Sequence, residues 1–108
     1  MNISRKNKFE IQLLSENYLN SKRIIDEAER CITKCPTYRL HSHRRIVSHI
    51  EYVADTLRDK ERFIIINEVI MGKSGKWYLE FFSAPTYYRI RNRAYTQFLN
   101  CLWYSNKV

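Results

Sequence analysis

Residues that break secondary structure are scarce in this chain. Its 108 residues include two glycines and two prolines, and long isoleucine-rich segments with helical periodicity lie between them. We therefore predict an all-α fold of about five helices in a single domain (1–108), large enough to bury a core without metal or disulfides. The shortage of glycine also argues against the phosphate-binding loops of nucleotide-dependent enzymes.

Long apolar runs are missing as well. No segment approaches the roughly eighteen apolar residues of a membrane span, and no signal-type apolar segment follows the N-terminus, so we expect a cytoplasmic protein without membrane contact.

The cysteines number three, which suggests reduced thiols. Cys31 and Cys35 have the spacing of a zinc pair, but His41 and His43 lie too close together. We expect buried cysteines, and neither a metal nor a cofactor.

Acidic residues are lacking at the C-terminal end. None follows Glu80, whereas Arg89, Arg91 and Arg93 do. The net charge of the whole chain is +8, a balance that favours polyanionic partners such as nucleic acid.

A catalytic constellation is also missing. The best enzyme that the sequence suggests is a small nuclease that uses His41, His43 or His49 with Glu51, and no recognisable Ser, His and Asp arrangement exists. We therefore expect a protein that is not an enzyme.

We predict that the helices in the first half of the chain pack against those in the second half and support them. We predict a flexible basic arm at 1–8, a helix over 9–34 and a second helix over 42–57, so that 9–58 form the supporting helices. An apolar stripe along 9–34 has the spacing of a heptad seam, which would pack on other helices of the chain or pair in a homodimer. Pro36 should end the first helix, and a connector over 35–41 should follow.

The second half contains three predicted helices. The first runs from residue 59 or 60 to 71 with Gly72 as its C-cap, and the second covers 77–82. Ser83 is a good N-cap residue and Pro85 suits a first turn, so a helix should start near Ala84. Its apolar stripe faces the core and consists of Tyr87, Ile90, Ala94, Phe98 and Leu102. The helix through Phe63 and Ile66 should form the core beneath it, with Trp77 and Phe81.

The opposite face of that last helix is polar and cationic. Arginine and asparagine are the side chains that most naturally contact guanine and adenine in a major groove, so the predicted base-reading residues are Thr86, Tyr88, Arg89 and Asn92. The predicted contacts to the DNA backbone are Arg44, Arg45, Lys73, Lys76, Ser83, Arg91 and Arg93. The same face would also suit a solvated cationic helix that only keeps the protein soluble.

A family resemblance favours the first interpretation. The segment LRDKERFIIINEVIMG, followed by Ser83, Thr86, Tyr87, Arg89, Arg93 and Ala94, resembles the helix-turn-helix of sigma-factor region 4 and of ArpU-type phage late-gene activators. The chain is also similar to small mycoplasma proteins that have no assigned role. The first resemblance implies a helix-turn-helix unit over 59–104 and a transcriptional regulator that binds duplex DNA.

Two other interpretations use the aromatic residues. Sigma-like domains also dock on RNA polymerase, and the chain would be a protein-interaction module if bulky aromatics were anchors in a partner's pocket. These candidates are Trp77, Phe81, Phe82, Trp103 and Tyr104. An RNA-binding role would need unpaired bases that stack on exposed tyrosines.

Overall fold

The computed structural model of the protein is all-helical. It describes residues 5–30 and 36–107, with side chains only as far as Leu102 at the C-terminal end. Within that part of the chain there is no strand. The elements are α1 (Arg5–Glu29), α2 (Thr37–Asp55), α3 (Asp59–Ile65), a π-helical segment (Ile66–Ile70), a 3-10 helix (Trp77–Glu80) and α4 (Ala84–Lys107).

The two N-terminal helices start earlier than their sequence patterns indicate. α1 begins at Arg5 instead of residue 9, so the second half of the predicted basic arm is helical. α2 begins at Thr37 instead of residue 42, because Pro36 serves as its N-cap and most of the predicted connector continues into the helix. Proline suits that position, since it has no N–H that would need an intrahelical partner. The cysteine pair at 31 and 35 lies outside the described residues.

The apolar stripe of α1 is buried within the chain. Ile11, Tyr18, Ser21 and Ile25 are all buried, and α1 packs along α2. The two helices are joined by polar contacts: the Tyr18 hydroxyl donates to Glu51, and the Ser21 hydroxyl lies 2.9 Å from Nδ1 of His43. These residues of the stripe are therefore packed against other helices of the chain.

The predicted helix over residues 59–71 consists of two kinds of helix. α3 ends at Ile65, and a π-helical segment continues to Ile70, closed by the Met71 N–H that donates to the Ile66 carbonyl at 2.9 Å. The residues buried here are Ile64, Ile65 and Val69, whereas Phe63 and Ile66 are only half-buried. The predicted helix therefore does contribute to the core, but through these three residues and not through Phe63 and Ile66.

Gly72 ends the π-helical segment in the left-handed backbone conformation, with φ of 66°. A Cβ atom at this position would lie 2.8 Å from Cδ1 of Leu19, whereas a Cβ at Gly75, with φ of 73°, would meet nothing within 4 Å. We expect Gly72→Ala to lower the free energy of unfolding by about 1–2 kcal/mol, because an L-residue is strained there. Urea unfolding should show a smaller loss for Gly75→Ala, and a Gly72→Ala variant as stable as the wild type would contradict this geometry.

The α4 helix begins at Ala84 as the sequence predicts, and its predicted stripe is buried: Tyr87, Ile90, Ala94, Phe98 and Leu102. The segment before it, predicted as a helix over 77–82, is a single 3-10 turn that ends at Glu80. In the described residues, no helix is long and apolar enough to cross a membrane.

Candidate nucleic-acid interface

The outer face of α4 is a continuous strip of exposed polar side chains. Since α4 buries its apolar stripe against α1, α2 and α3, the residues on its other side meet solvent. The exposed members at helical spacing are Arg89, Arg93, Thr96, Gln97 and Asn100, a set that we call the α4 strip. It contains guanidinium, amide and hydroxyl groups and no carboxylate, which is the composition that contacts phosphates and base edges.

The predicted base-reading residues fall into different environments. Arg89 is exposed on the α4 strip, and Tyr88 is exposed at its edge, where its hydroxyl lies 3.3 Å from that of Tyr78. Thr86 and Asn92 are half-buried, and the Ser83 hydroxyl donates to that of Thr86 at 2.9 Å. Of the four, Arg89 is the one that belongs to the α4 strip.

The predicted phosphate contacts are divided in the same way. Lys73 and Lys76 are exposed in the loop that precedes the 3-10 helix, and Arg45 is exposed on α2. Arg44 pairs with Glu29 at 3.3 Å. Arg93 lies 3.5 Å from the carboxylate of Glu61, which is buried near the start of α3, so this arginine also joins α3 to α4.

Arg91 does not lie on the α4 strip. Its guanidinium carbon lies 5.6 Å from the ring centre of Tyr87, 4.7 Å from that of Tyr88 and 5.7 Å from that of Tyr95. Cations over aromatic faces are attracted by the ring quadrupole. The spacing explains the arrangement, because residues four positions before and after Arg91 share its side of the helix.

The N-terminal half of α4 is held in place by a carboxylate in the π-helical segment. Glu68 accepts hydrogen bonds from the indole N–H of Trp77 at 2.9 Å and from the hydroxyls of Tyr87 and Tyr95. These four residues, which we call the Glu68 cluster, connect the π-helical segment, the 3-10 helix and α4. Charge-assisted hydrogen bonds of this kind are stronger than neutral ones.

The Glu68 cluster shifts the acidity of its tyrosines. Burial and the hydrogen bond to Glu68 raise the pKa of Tyr87, and burial and the charge of Glu68 raise the pKa of Tyr95. Arg91 opposes both shifts, because a nearby cation favours phenolate. Both phenols therefore remain protonated donors across the physiological range.

An aromatic stack adjoins the Glu68 cluster. The rings of Tyr78 and Tyr87 are parallel, with centres 3.6 Å apart, and Trp77 meets Tyr87 edge-on at 6.0 Å. Phe63 of α3 contacts Phe81 at 5.0 Å. These contacts fix the 3-10 helix between α3 and α4, so the first turn of α4 starts from a rigid support.

Sequence reasoning missed two kinds of residue. Gln97 and Asn100 extend the α4 strip, and the helical period from Arg89 and Arg93 would have found them. Glu68 was missed as an anchor, although a carboxylate within the apolar run of residues 63–71 was the available signal.

No group of metal-ligating side chains is present among the described residues. A comparison of the chain with protein-family models, with curated proteins and with solved structures finds no match.

Proposed function

We propose that the α4 strip binds duplex DNA in the major groove and that the protein regulates transcription. The observation that carries this proposal is the composition of the strip: five exposed cationic, amide and hydroxyl side chains on one face of a helix, at the end of the chain where the sequence has no carboxylate. A helix inserted in a groove must present donors to acidic phosphates and to base edges, and carboxylates there would repel the backbone.

The roles of individual residues follow from their surroundings. Arg89 is exposed on the strip and is assigned to guanine, with Gln97 as a second base contact. Lys73 and Lys76 contact phosphates from the loop. Arg93 has Glu61 as a partner, so it contributes a phosphate contact only if it exchanges that ion pair. The elements over 59–104 then act together as the helix-turn-helix unit, with the 3-10 turn in place of its middle helix.

Rigid support of the helix is the second argument. Groove recognition requires side chains whose helix is already positioned, because ordering a helix on binding would cost conformational entropy. The Glu68 cluster ties α4 to two preceding elements. It thereby supplies such a fixed helix without taking any residue of the α4 strip.

The test compares variants on a pool of short duplexes by fluorescence anisotropy at two salt concentrations. We expect Arg89→Ala to weaken binding to preferred duplexes by about 1–3 kcal/mol and to reduce the preference among them, whereas Lys73→Ala should weaken binding to all duplexes alike and reduce the salt slope by about 1. Arg30→Ala is the control that removes the same charge, at an exposed arginine directly after α1.

The comparison has a clear contrary outcome. If Arg89→Ala and Arg30→Ala weaken binding equally on every duplex, Arg89 contributes only its charge and the α4 strip reads no sequence.

A second candidate function has one specific observation in its favour. Of the aromatic residues considered as anchors, Trp77 and Phe82 pack against the core, and the side chains of residues 103 and 104 lie outside those described. Phe81 remains 54% exposed, next to the exposed Leu79. Docking on RNA polymerase or another protein through Phe81 is the alternative that a failure to bind any duplex would favour.

A further inference from the structure

The outer face of α2 carries two tyrosines whose rings are open to solvent. Tyr38 is 69% exposed and Tyr52 is 67% exposed, the highest fractions among the large hydrophobic residues that are exposed. Within the described part of the chain, no hydrogen bond or ring contact holds either phenol ring. The two residues lie fourteen positions apart, which corresponds to four helical turns and about 21 Å along one side of the helix.

Cationic side chains occupy the same face. Arg45 lies midway between the two tyrosines, at seven residues from each, and is exposed. Arg39 is exposed next to Tyr38. The sequence has no Asp or Glu between Glu29 and Glu51. The N-terminal half of α2 therefore carries no negative side chain that would repel an anion.

Three acidic residues lie on α2 or at the last position of α1: Glu29, Glu51 and Asp55. The first two have partners. Glu29 pairs with Arg44 at 3.3 Å, and Glu51 accepts a hydrogen bond from Tyr18 on the buried side of α2. Asp55 is exposed one turn beyond Tyr52. The two exposed arginines of α2 that have no acidic partner in the described part of the chain, Arg39 and Arg45, both lie in its first half.

Open aromatic rings that alternate with cations match single-stranded nucleic acid. Each unpaired base offers a face on which a tyrosine can stack, and the backbone offers phosphates to arginine. Bases of a duplex are already stacked on one another, so exposed tyrosines on a helix would gain nothing from them. We propose that the α2 face formed by Tyr38, Arg45 and Tyr52 binds single-stranded DNA or RNA. This site is separate from the α4 strip and does not depend on its function.

The test measures anisotropy of labelled twelve-residue oligodeoxyuridine and oligouridine, which differ only in the sugar, beside an abasic oligomer of the same length. The variants are Tyr38→Leu/Tyr52→Leu, which removes both rings, and Tyr38→Phe/Tyr52→Phe, which keeps them. Because both side chains are exposed, circular dichroism and thermal unfolding should match the wild type. Phe9→Leu, which removes an exposed ring on α1 outside both surfaces, is the matched control.

We expect the leucine variant to lose about thirtyfold or more in affinity for a single strand, and the phenylalanine variant and Phe9→Leu to stay close to the wild type. The abasic oligomer should bind weakly and equally to all four proteins, and the tighter of the two uridine oligomers identifies the sugar. Unchanged affinity in the leucine variant would overturn the proposal. So would an abasic oligomer that binds as tightly as oligouridine, since the site would then hold only phosphates.

Discussion

The Glu68→Gln variant should lose about 2–4 kcal/mol of its free energy of unfolding, measured by urea denaturation at pH 7. The carboxylate accepts from Trp77, Tyr87 and Tyr95, and hydrogen bonds to a charged group contribute about 1.5–3 kcal/mol each. A carboxamide of the same size has one acceptor oxygen, and its amino group faces donors. At least one buried donor is then left without a good acceptor.

This loss is large compared with the stability of a small domain, which is typically 5–15 kcal/mol. Removal of a buried charge can instead stabilise a protein when apolar packing replaces it. That gain does not apply here, because glutamine keeps the site polar while it removes the acceptor capacity that three donors use.

The control is Glu80→Gln, which neutralises an exposed glutamate in the 3-10 helix. It should change stability by less than about 0.5 kcal/mol. A double-mutant cycle with Tyr95→Phe then measures the coupling between Glu68 and one of its donors. Equal stability losses in Glu68→Gln and Glu80→Gln, or additive effects in the cycle, would contradict the role of the Glu68 cluster.

Alkaline conditions should unfold the protein cooperatively, starting above about pH 10. Burial and Glu68 raise the pKa values of Tyr87 and Tyr95 in the folded state, whereas an unfolded chain releases the phenolic protons near pH 10. Above that pH the unfolded state binds fewer protons than the folded state, so stability falls as the pH rises. Each tyrosine contributes up to about 1.4 kcal/mol per pH unit. The effect is absent below pH 9, where both states keep the proton.

The measurement is the free energy of unfolding in urea at several pH values from 8 to 11.5, with tyrosinate absorbance recorded on the native protein. Tyr95→Phe should flatten the slope above pH 10 by about 1.4 kcal/mol per unit. Tyr38→Phe, which alters an exposed ring, should leave it unchanged. Slopes are compared instead of single values, because Tyr95→Phe also removes a hydrogen bond and lowers stability at neutral pH.

The native protein supplies an independent check. The phenols of Tyr87 and Tyr95 should ionise only together with loss of helix. Ionisation of all eight tyrosines near pH 10 with the fold intact would contradict the raised pKa values.

Local periodicity was sufficient for α4. Its start at Ala84 followed from the Ser-Ala-Pro sequence, and its buried stripe followed from residues three and four apart. Such features depend on neighbours within one or two turns, which the sequence displays directly. The sequence pattern predicts the start of α2 too late. Proline breaks a helix interior, but it also suits the position before or within a first helical turn, and Pro36 has that position in α2.

The sequence by itself determined the helical class, the absence of acid after Glu80 and the polar composition of the α4 strip. Only the tertiary structure decided that Arg93 meets a buried Glu61 and that Glu68 anchors α4. The partners of Glu68 lie 9, 19 and 27 residues away in the chain. No helical period relates such distant positions, because the packing of α3 and the π-helical segment against α4 is what brings the carboxylate to its three donors.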